Sequence, residues 1–141
     1  MIELLPASRD LVQIHEGRRQ FPYYDTCGKL TIAVGRNFTD RGLADDAIDY
    51  LFANGLVIAL QICQDLYPSF ASFTPARQAA LILMAFNLGK PGLASFCRMR
   101  AAINRGNWRG AADEAENSLW GRQTRHRATG IAARLRGVHK P

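Results

Sequence analysis

Two carboxylates and one hydroxyl lie close together near the start of the chain, at Glu16, Asp25 and Thr31. A pair of carboxyl groups can act as general acid and general base, and this pairing cleaves glycosidic bonds. The reaction needs one carboxyl group that carries a proton and a second that is ionised. The spacing alone is a weak signal, because nearby acidic residues are common and a solvated surface glutamate explains Glu16 equally well.

The local sequence predicts the elements that hold these groups. Apolar residues at helical spacing, followed by Gly17, predict a short helix with Glu16 in its last turn. Residues 21–34 are rich in aromatic and β-branched types around a Thr-Cys-Gly turn signal, which predicts an antiparallel hairpin. Asp25 then falls at the end of the first strand, and Thr31 falls on the returning strand.

The rest of the chain predicts a mainly α, α+β fold. The length of 141 residues fits a single domain. An apolar stripe at helical spacing predicts one long helix over 45–66. We therefore expect a small N-terminal lobe with a hairpin at 1–44, a connecting helix at 45–66 and a helical C-terminal lobe at 67–141. The polar stretch 37–42 is predicted to be a loop.

The charge of the chain points to an anionic partner without naming it. The formal net charge is +6, which attracts nucleic acid, an anionic membrane or the acidic polymers of a bacterial wall. No nucleic-acid-binding motif accompanies the charge, so we expect no nucleic-acid partner. Arginines are densest in residues 122–136. This stretch is either a solvated helix face or a surface that holds the chain near an anionic wall.

Several classes of protein are disfavoured by the sequence. The three cysteines contain no close pair, so we expect free thiols and neither a disulfide framework nor a zinc site. His126 and His139 lack further ligands at metal spacing, and we expect no metal or cofactor. Residues 1–6 have neither the basic start nor the apolar run of a signal peptide. No stretch reaches roughly 18 to 20 uninterrupted apolar residues, so we expect no signal peptide and no stable membrane insertion.

The stretch from His15 to Asn37 resembles the signature of glycoside hydrolase family 24, the phage lysozymes of the T-even type. The family pattern runs E-G, a tyrosine, D-T, a glycine, T-I-G and a final glycine. The chain matches it at Glu16-Gly17, Tyr23, Asp25-Thr26, Gly28, Thr31-Ile32 and Gly35. It departs at Ala33, where the family has glycine and where we expect the backbone to favour glycine. The resemblance implies a lysozyme-like fold.

The resemblance also implies a role for each candidate residue. Glu16 corresponds to the general acid, Asp25 to the base, and Thr31 to the group that holds the attacking water.

The similarity extends into the second half of the chain. Residues 84–89 resemble the apolar helix that lines the family's substrate cleft, which implies that Phe86 and Asn87 contact the glycan; Asn37 is a further candidate contact. Arg127 matches a C-terminal motif and is expected to approach Glu16. Two tryptophans twelve residues apart are expected to be core residues rather than sugar platforms.

These features predict an endolysin that cleaves the β-1,4 bond between N-acetylmuramic acid and N-acetylglucosamine in peptidoglycan, with inversion, and so lyses the host cell. We expect a monomer that resides in the host cytoplasm before it reaches the wall. Two alternatives remain open. A lytic transglycosylase cleaves the same bond with the glutamate alone, and a cationic wall- or membrane-active protein kills without catalysis.

Overall fold

The computed structural model describes residues 6–138, and the expectation about a signal peptide falls mainly on residues outside this range. The described part is mainly helical with a small antiparallel sheet, so the predicted α+β class is confirmed. In chain order the elements are α1 (Pro6–Glu16), β1 (Arg19–Tyr24), β2 (Leu30–Ala33), β3 (Arg36–Asn37), α2 (Phe38–Arg41), α3 (Asp45–Leu66), a 3-10 turn (Phe70–Ser72), α4 (Pro75–Ala94), α5 (Cys97–Asn104), α6 (Trp108–Asn117), α7 (Leu119–Gln123) and α8 (Arg125–Arg136).

The chain divides into two compact units, one that ends at Tyr50 and one that starts at Leu51. The division falls inside α3, the helix that the sequence predicts over 45–66, and the bounds of that helix are confirmed. The first unit contains the two carboxylates and the hydroxyl. The second unit contains the candidate residues Phe86, Asn87 and Arg127.

The sheet of the first unit has the strand order β1-β2-β3. Tyr23 pairs with Thr31 across β1 and β2, and Thr31 pairs with Asn37 across β2 and β3. The predicted hairpin is therefore confirmed, and a short third strand extends it. Thr31 lies on the central strand, between two neighbours, which explains why it is buried.

The predicted loop over 37–42 is wrong, because this stretch contains α2. Asn37 caps the helix: its side-chain oxygen accepts a hydrogen bond from the backbone N–H of Asp40 at 3.0 Å. Gly42 then ends the turn with a φ of 58°. A polar sequence of this kind suggests a loop, but a side-chain cap on a backbone donor is enough to close one helical turn.

Helix α3 carries most of its apolar side chains on the exposed surface, and only Ala59, Ile62 and Cys63 are buried. By length and composition it is apolar enough to cross a membrane, which the sequence prediction did not allow for. Its charge-free stretch lies between Asp49 and Asp65 and spans about 22 Å at 1.5 Å per residue, against roughly 30 Å for a hydrocarbon core. One helix of this kind is weak evidence and its charge-free stretch is shorter than a hydrocarbon core, so membrane insertion does not follow.

The core of the second unit runs from the end of α3 to α8. Its fully buried side chains include Cys63, Tyr67, Leu81, Met84, Leu93, Met99, Ile131 and Leu135. Burial raises the pKa of Cys63 to about 12, so this thiol stays protonated in the folded chain. The exposed Cys27 and Cys97 are free thiols as well.

Two departures from regular helix shape the second unit. The sequence predicts that the helix after Pro75 stops at Gly89; helical backbone breaks there, at φ 70° and ψ 176°, and then resumes to Ala94. The sequence after Asn107, which can cap a helix, predicts one helix from Trp108 to about residue 119; the observed helix ends at Asn117. The chain restarts as α7 because the Ser118 hydroxyl caps it, accepting from the next turn at 2.9 Å.

Candidate active site

Glu16 is the last residue of α1, and its side chain is exposed. Gly17 ends the helix in a left-handed conformation, with φ 73°, and its N–H donates to the carbonyl of Gln13 at 2.9 Å. The predicted position in the last helical turn is therefore confirmed. Among residues 6–50, the Glu16 carboxyl group has no hydrogen bond or ion pair. It lies instead against Gly35 in the turn between β2 and β3.

The carboxyl group of Asp25 is held by the turn that follows it. Its Oδ1 atom accepts hydrogen bonds from the backbone N–H of Cys27 at 2.8 Å and of Lys29 at 2.9 Å. Two donors on one oxygen orient the whole carboxylate. The Oδ2 atom has no hydrogen bond among the described residues, so it remains able to accept a proton.

Thr31 is buried, with 4% of its surface exposed. Its hydroxyl donates to the carbonyl oxygen of Lys29 at 3.0 Å, so the hydroxyl proton is committed and the oxygen lone pairs remain as acceptors. The same carbonyl accepts from the backbone N–H of Asp25 at 2.9 Å. Asp25 and Thr31 are thus held by the backbone of one residue, Lys29.

Lys29 is a residue that the sequence reasoning missed. Its ammonium group pairs with Asp40 at 3.2 Å, and the hydrogen bond from Lys29 lowers the pKa of the Asp40 carboxyl. The next residue, Leu30, donates its N–H to the Thr39 hydroxyl at 2.8 Å. Helix α2 therefore anchors the start of β2. The available signal was an aspartate followed by Thr26-Cys27-Gly28, since an aspartate side chain often closes a turn by accepting from the backbone two residues on.

Ala33 has a φ of 59°, and it is the one residue other than glycine with a positive φ in the described part of the chain. The expectation that this position favours glycine is therefore confirmed. A left-handed conformation brings the Cβ atom of an L-residue close to the following carbonyl oxygen. Ala33 is exposed, so packing does not compensate for this strain.

The candidate glycan contacts of the second unit lie on α4. Phe86 is 47% exposed, and its ring packs edge-on against Phe52 with centroids 6.0 Å apart. Asn87 is exposed, and its Oδ1 atom accepts from the indole N–H of Trp120 at 3.0 Å. This bond fixes the amide of Asn87 and turns its NH₂ group into an available donor. Arg127 is exposed on α8.

Asn37, the third candidate contact, lies in the first unit and has a structural role. Its Oδ1 atom caps α2, and its Nδ2 atom donates to the carboxylate of Asp40 at 3.1 Å. Both polar atoms of the side chain are therefore already engaged within the unit.

The two tryptophans pack against the core of the second unit, as expected. Trp108 contacts Phe73 edge to face at 4.7 Å, and Trp120 contacts Phe96 at 6.1 Å. Beside Trp120 lies a pocket of about 610 Å³ that is lined by residues of α4 to α7, among them Phe96 and Gln123. No motif in the sequence indicates this pocket.

Charge is distributed unevenly between the units. Residues 6–50 carry six basic and seven acidic side chains, whereas residues 51–138 carry eleven basic and four acidic ones. Arg136 is paired with Asp113 and Glu116, each at 2.7 Å. Arg122 and Arg125 are exposed. Among residues 6–138, no group of three or more His, Cys, Asp or Glu side chains could hold a metal ion.

The mainly α fold with a small antiparallel sheet is consistent with the lysozyme-like fold that the sequence resemblance implies. A model of the family described as phage lysozyme matches residues 13–136. The chain therefore belongs to the phage lysozyme family. It is also similar to the pre-baseplate central spike protein Gp5 of Enterobacteria phage T4, with 30% identity over 104 residues. This match covers 74% of the chain but only 16% of the length of that relative.

Proposed function

We propose that this protein is a peptidoglycan hydrolase that cleaves the β-1,4 bond between N-acetylmuramic acid and N-acetylglucosamine with inversion. Membership of the phage lysozyme family supports the substrate class. The observation that carries the mechanism is the shared backbone of Lys29, which holds the Asp25 carboxylate and the Thr31 hydroxyl. Inverting hydrolysis requires a base and a group that holds the attacking water, and the two must keep a fixed relative position.

In the proposed reaction, Glu16 gives its proton to the leaving glycosidic oxygen as the bond to the anomeric carbon breaks. A water molecule attacks that carbon from the opposite face. The Oδ2 atom of Asp25 takes one proton of this water, while the Thr31 oxygen accepts a hydrogen bond from the other. One water is added for each bond cleaved. The burial of Thr31 suits a single enclosed water rather than bulk solvent.

The glycan contacts are part of the same proposal. In this proposal the NH₂ group of Asn87 donates to a sugar carbonyl or hydroxyl, which its hydrogen bond with Trp120 supports because that bond leaves the NH₂ group unused. The half-exposed ring of Phe86 provides an apolar surface for a sugar face. Asn37 acts through the cap of α2 rather than by direct contact. Arg127, exposed on α8, belongs to the proposal only as a basic residue of the second unit.

Digestion of purified peptidoglycan by the wild type and by Glu16→Gln tests the proposal. The variant is nearly isosteric but has no proton to donate, so we expect turnover to fall by at least about 100-fold. Products of the wild type should carry one added water, seen as a mass increase in ¹⁸O-labelled water. Unlabelled anhydro ends would show a lytic transglycosylase, and undiminished wall lysis by Glu16→Gln would show a protein that acts without this catalysis.

The stereochemical outcome is a separate test. Inversion predicts that the first product observed by NMR is the α anomer. It also predicts that the Glu16 and Asp25 carboxyl groups are roughly 6.5 to 9.5 Å apart in a crystal structure, against about 5 to 5.5 Å for a retaining pair. A β anomer as first product would contradict the proposed roles of Asp25 and Thr31.

The basic second unit supports a further part of the proposal, namely that exposed arginines hold the enzyme near its anionic substrate. Arg122 and Arg125 are exposed, and attraction between exposed charges is screened by salt. The double variant Arg122→Gln/Arg125→Gln should bind purified walls more weakly than the wild type at low salt, and equally at high salt. Equal binding at low salt would remove these arginines from wall recognition.

A further inference from the structure

The turn between β2 and β3 contains a glycine whose missing side chain creates space for Glu16. Gly35 has a φ of 65°, a conformation that L-residues other than glycine rarely adopt. A Cβ atom built at this position would lie 2.5 Å from Oε2, 2.7 Å from Cδ and 2.9 Å from Cγ of Glu16. The carboxyl group of Glu16 therefore lies in the space that a side chain at position 35 would occupy.

This contact matters because the side chain of Glu16 has no other visible restraint within its unit. The residue ends a helix, its side chain is exposed, and it has no hydrogen bond among residues 6–50. A glutamate with free rotamers places its proton in many directions, whereas a general acid must meet one oxygen atom. The surface of Gly35 removes part of that freedom.

We propose that Gly35 is a positioning residue for Glu16, and that it sets where the carboxyl group lies by offering a face without a Cβ atom. The inference rests on the proposed role of Glu16 as general acid. Any side chain at position 35 must push the carboxyl group away by about 1 Å to reach ordinary van der Waals separation. A displacement of this size at a reacting group costs on the order of 100-fold in rate.

The displacement costs little stability, because the atom that must move is the free end of an exposed side chain. Alanine at position 35 destabilises the fold mainly through its positive φ. Gly106 provides a matched control for that effect. It has a φ of 74°, and a Cβ atom built there meets nothing within 4 Å. Alanine at either position thus strains the backbone, but only alanine at position 35 displaces Glu16.

The experiment compares Gly35→Ala, Gly35→Asn, Gly106→Ala and Gly106→Asn. Asparagine tolerates the left-handed conformation better than alanine but still carries a Cβ atom. Both variants at position 35 should lose about 100-fold in kcat with little change in KM, and both variants at position 106 should keep wild-type kcat. If Gly35→Asn recovers most of the activity lost by Gly35→Ala, backbone strain is the cause and the positioning role is wrong.

A direct measurement separates this inference from the proposed function. The carboxyl carbon resonance of Glu16, assigned by its loss in Glu16→Gln, should move in both Gly35 variants and stay in place in both Gly106 variants. An unmoved resonance would overturn the positioning role even if Glu16 proves to be the general acid. A fully active Glu16→Gln would overturn the catalytic role, while a shifted resonance would still establish that Gly35 sets the position of the side chain.

Discussion

Replacing Ala33 by glycine should stabilise the protein, which is unusual for the loss of a methyl group from a strand. Ala33 is held at a φ of 59°, and the left-handed conformation costs an L-residue roughly 1–2 kcal/mol. Glycine removes this cost but gives the unfolded chain more freedom, which offsets about 0.4–1 kcal/mol. Because Ala33 is exposed, no packing is lost. The net gain is about 1 kcal/mol.

The assay is thermal and urea unfolding of Ala33→Gly and the wild type, followed by circular dichroism. For a chain of this size we expect the midpoint to rise by about 3 °C. Ala101→Gly is the matched control, since Ala101 is exposed in the interior of α5. The same substitution there should lower stability by about 1 kcal/mol, because glycine disfavours helix. A gain in stability at position 33 together with a loss at position 101 would identify the backbone conformation of Ala33 as the cause.

The activity of Ala33→Gly carries a second part of this prediction. Position 33 follows Thr31 by two residues on β2, so relief of strain should leave wall digestion unchanged or faster. A variant that unfolds at a lower temperature than the wild type would refute the reasoning, because it would show that Ala33 is not strained in solution.

Three further predictions concern other parts of the molecule. Thr31→Val should lower kcat about 100-fold in wall digestion, because it removes the oxygen that we propose holds the attacking water. In urea unfolding it should cost about 0.5–1.5 kcal/mol, because the hydrogen bond from the hydroxyl to the Lys29 carbonyl is lost. Gly121→Ala should destabilise the fold by roughly 1–3 kcal/mol in thermal unfolding, because a Cβ atom there collides with the backbone carbonyls at the end of α6. Gly130→Ala is the control, and it should cause little or no loss of stability because its Cβ atom would meet only a flexible arginine side chain at 3.3 Å. Cys63 should resist a thiol reagent until the protein unfolds, while the two exposed cysteines react at once. Stability should fall as pH rises above about 9, because the unfolded thiol ionises there while the buried one, with its pKa raised to about 12, stays protonated; a flat unfolding midpoint over this pH range would contradict that burial.

The sequence by itself determined most of the elements and the types of the candidate reacting groups. Helical periodicity placed α3 at the observed bounds. A turn signal between β-rich segments placed Asp25 at the end of β1 and Thr31 on β2. Both patterns are local: residues close together in the chain create them, so they can be recognised without knowledge of the tertiary structure. The departure of Ala33 from the family glycine was also visible, and it correctly indicated a backbone that favours glycine.

Only the tertiary structure decided how these groups are held. The hydrogen bonds of Lys29 with Asp25 and Thr31 depend on the closed geometry of the turn, and the cap at Asn37 turned a polar stretch into a helix. The contact between Glu16 and Gly35 joins residues nineteen positions apart, and no periodicity encodes it. Such contacts depend on how the chain folds back between the two residues, and here the absence of one Cβ atom leaves space for a carboxyl group that the sequence could only name.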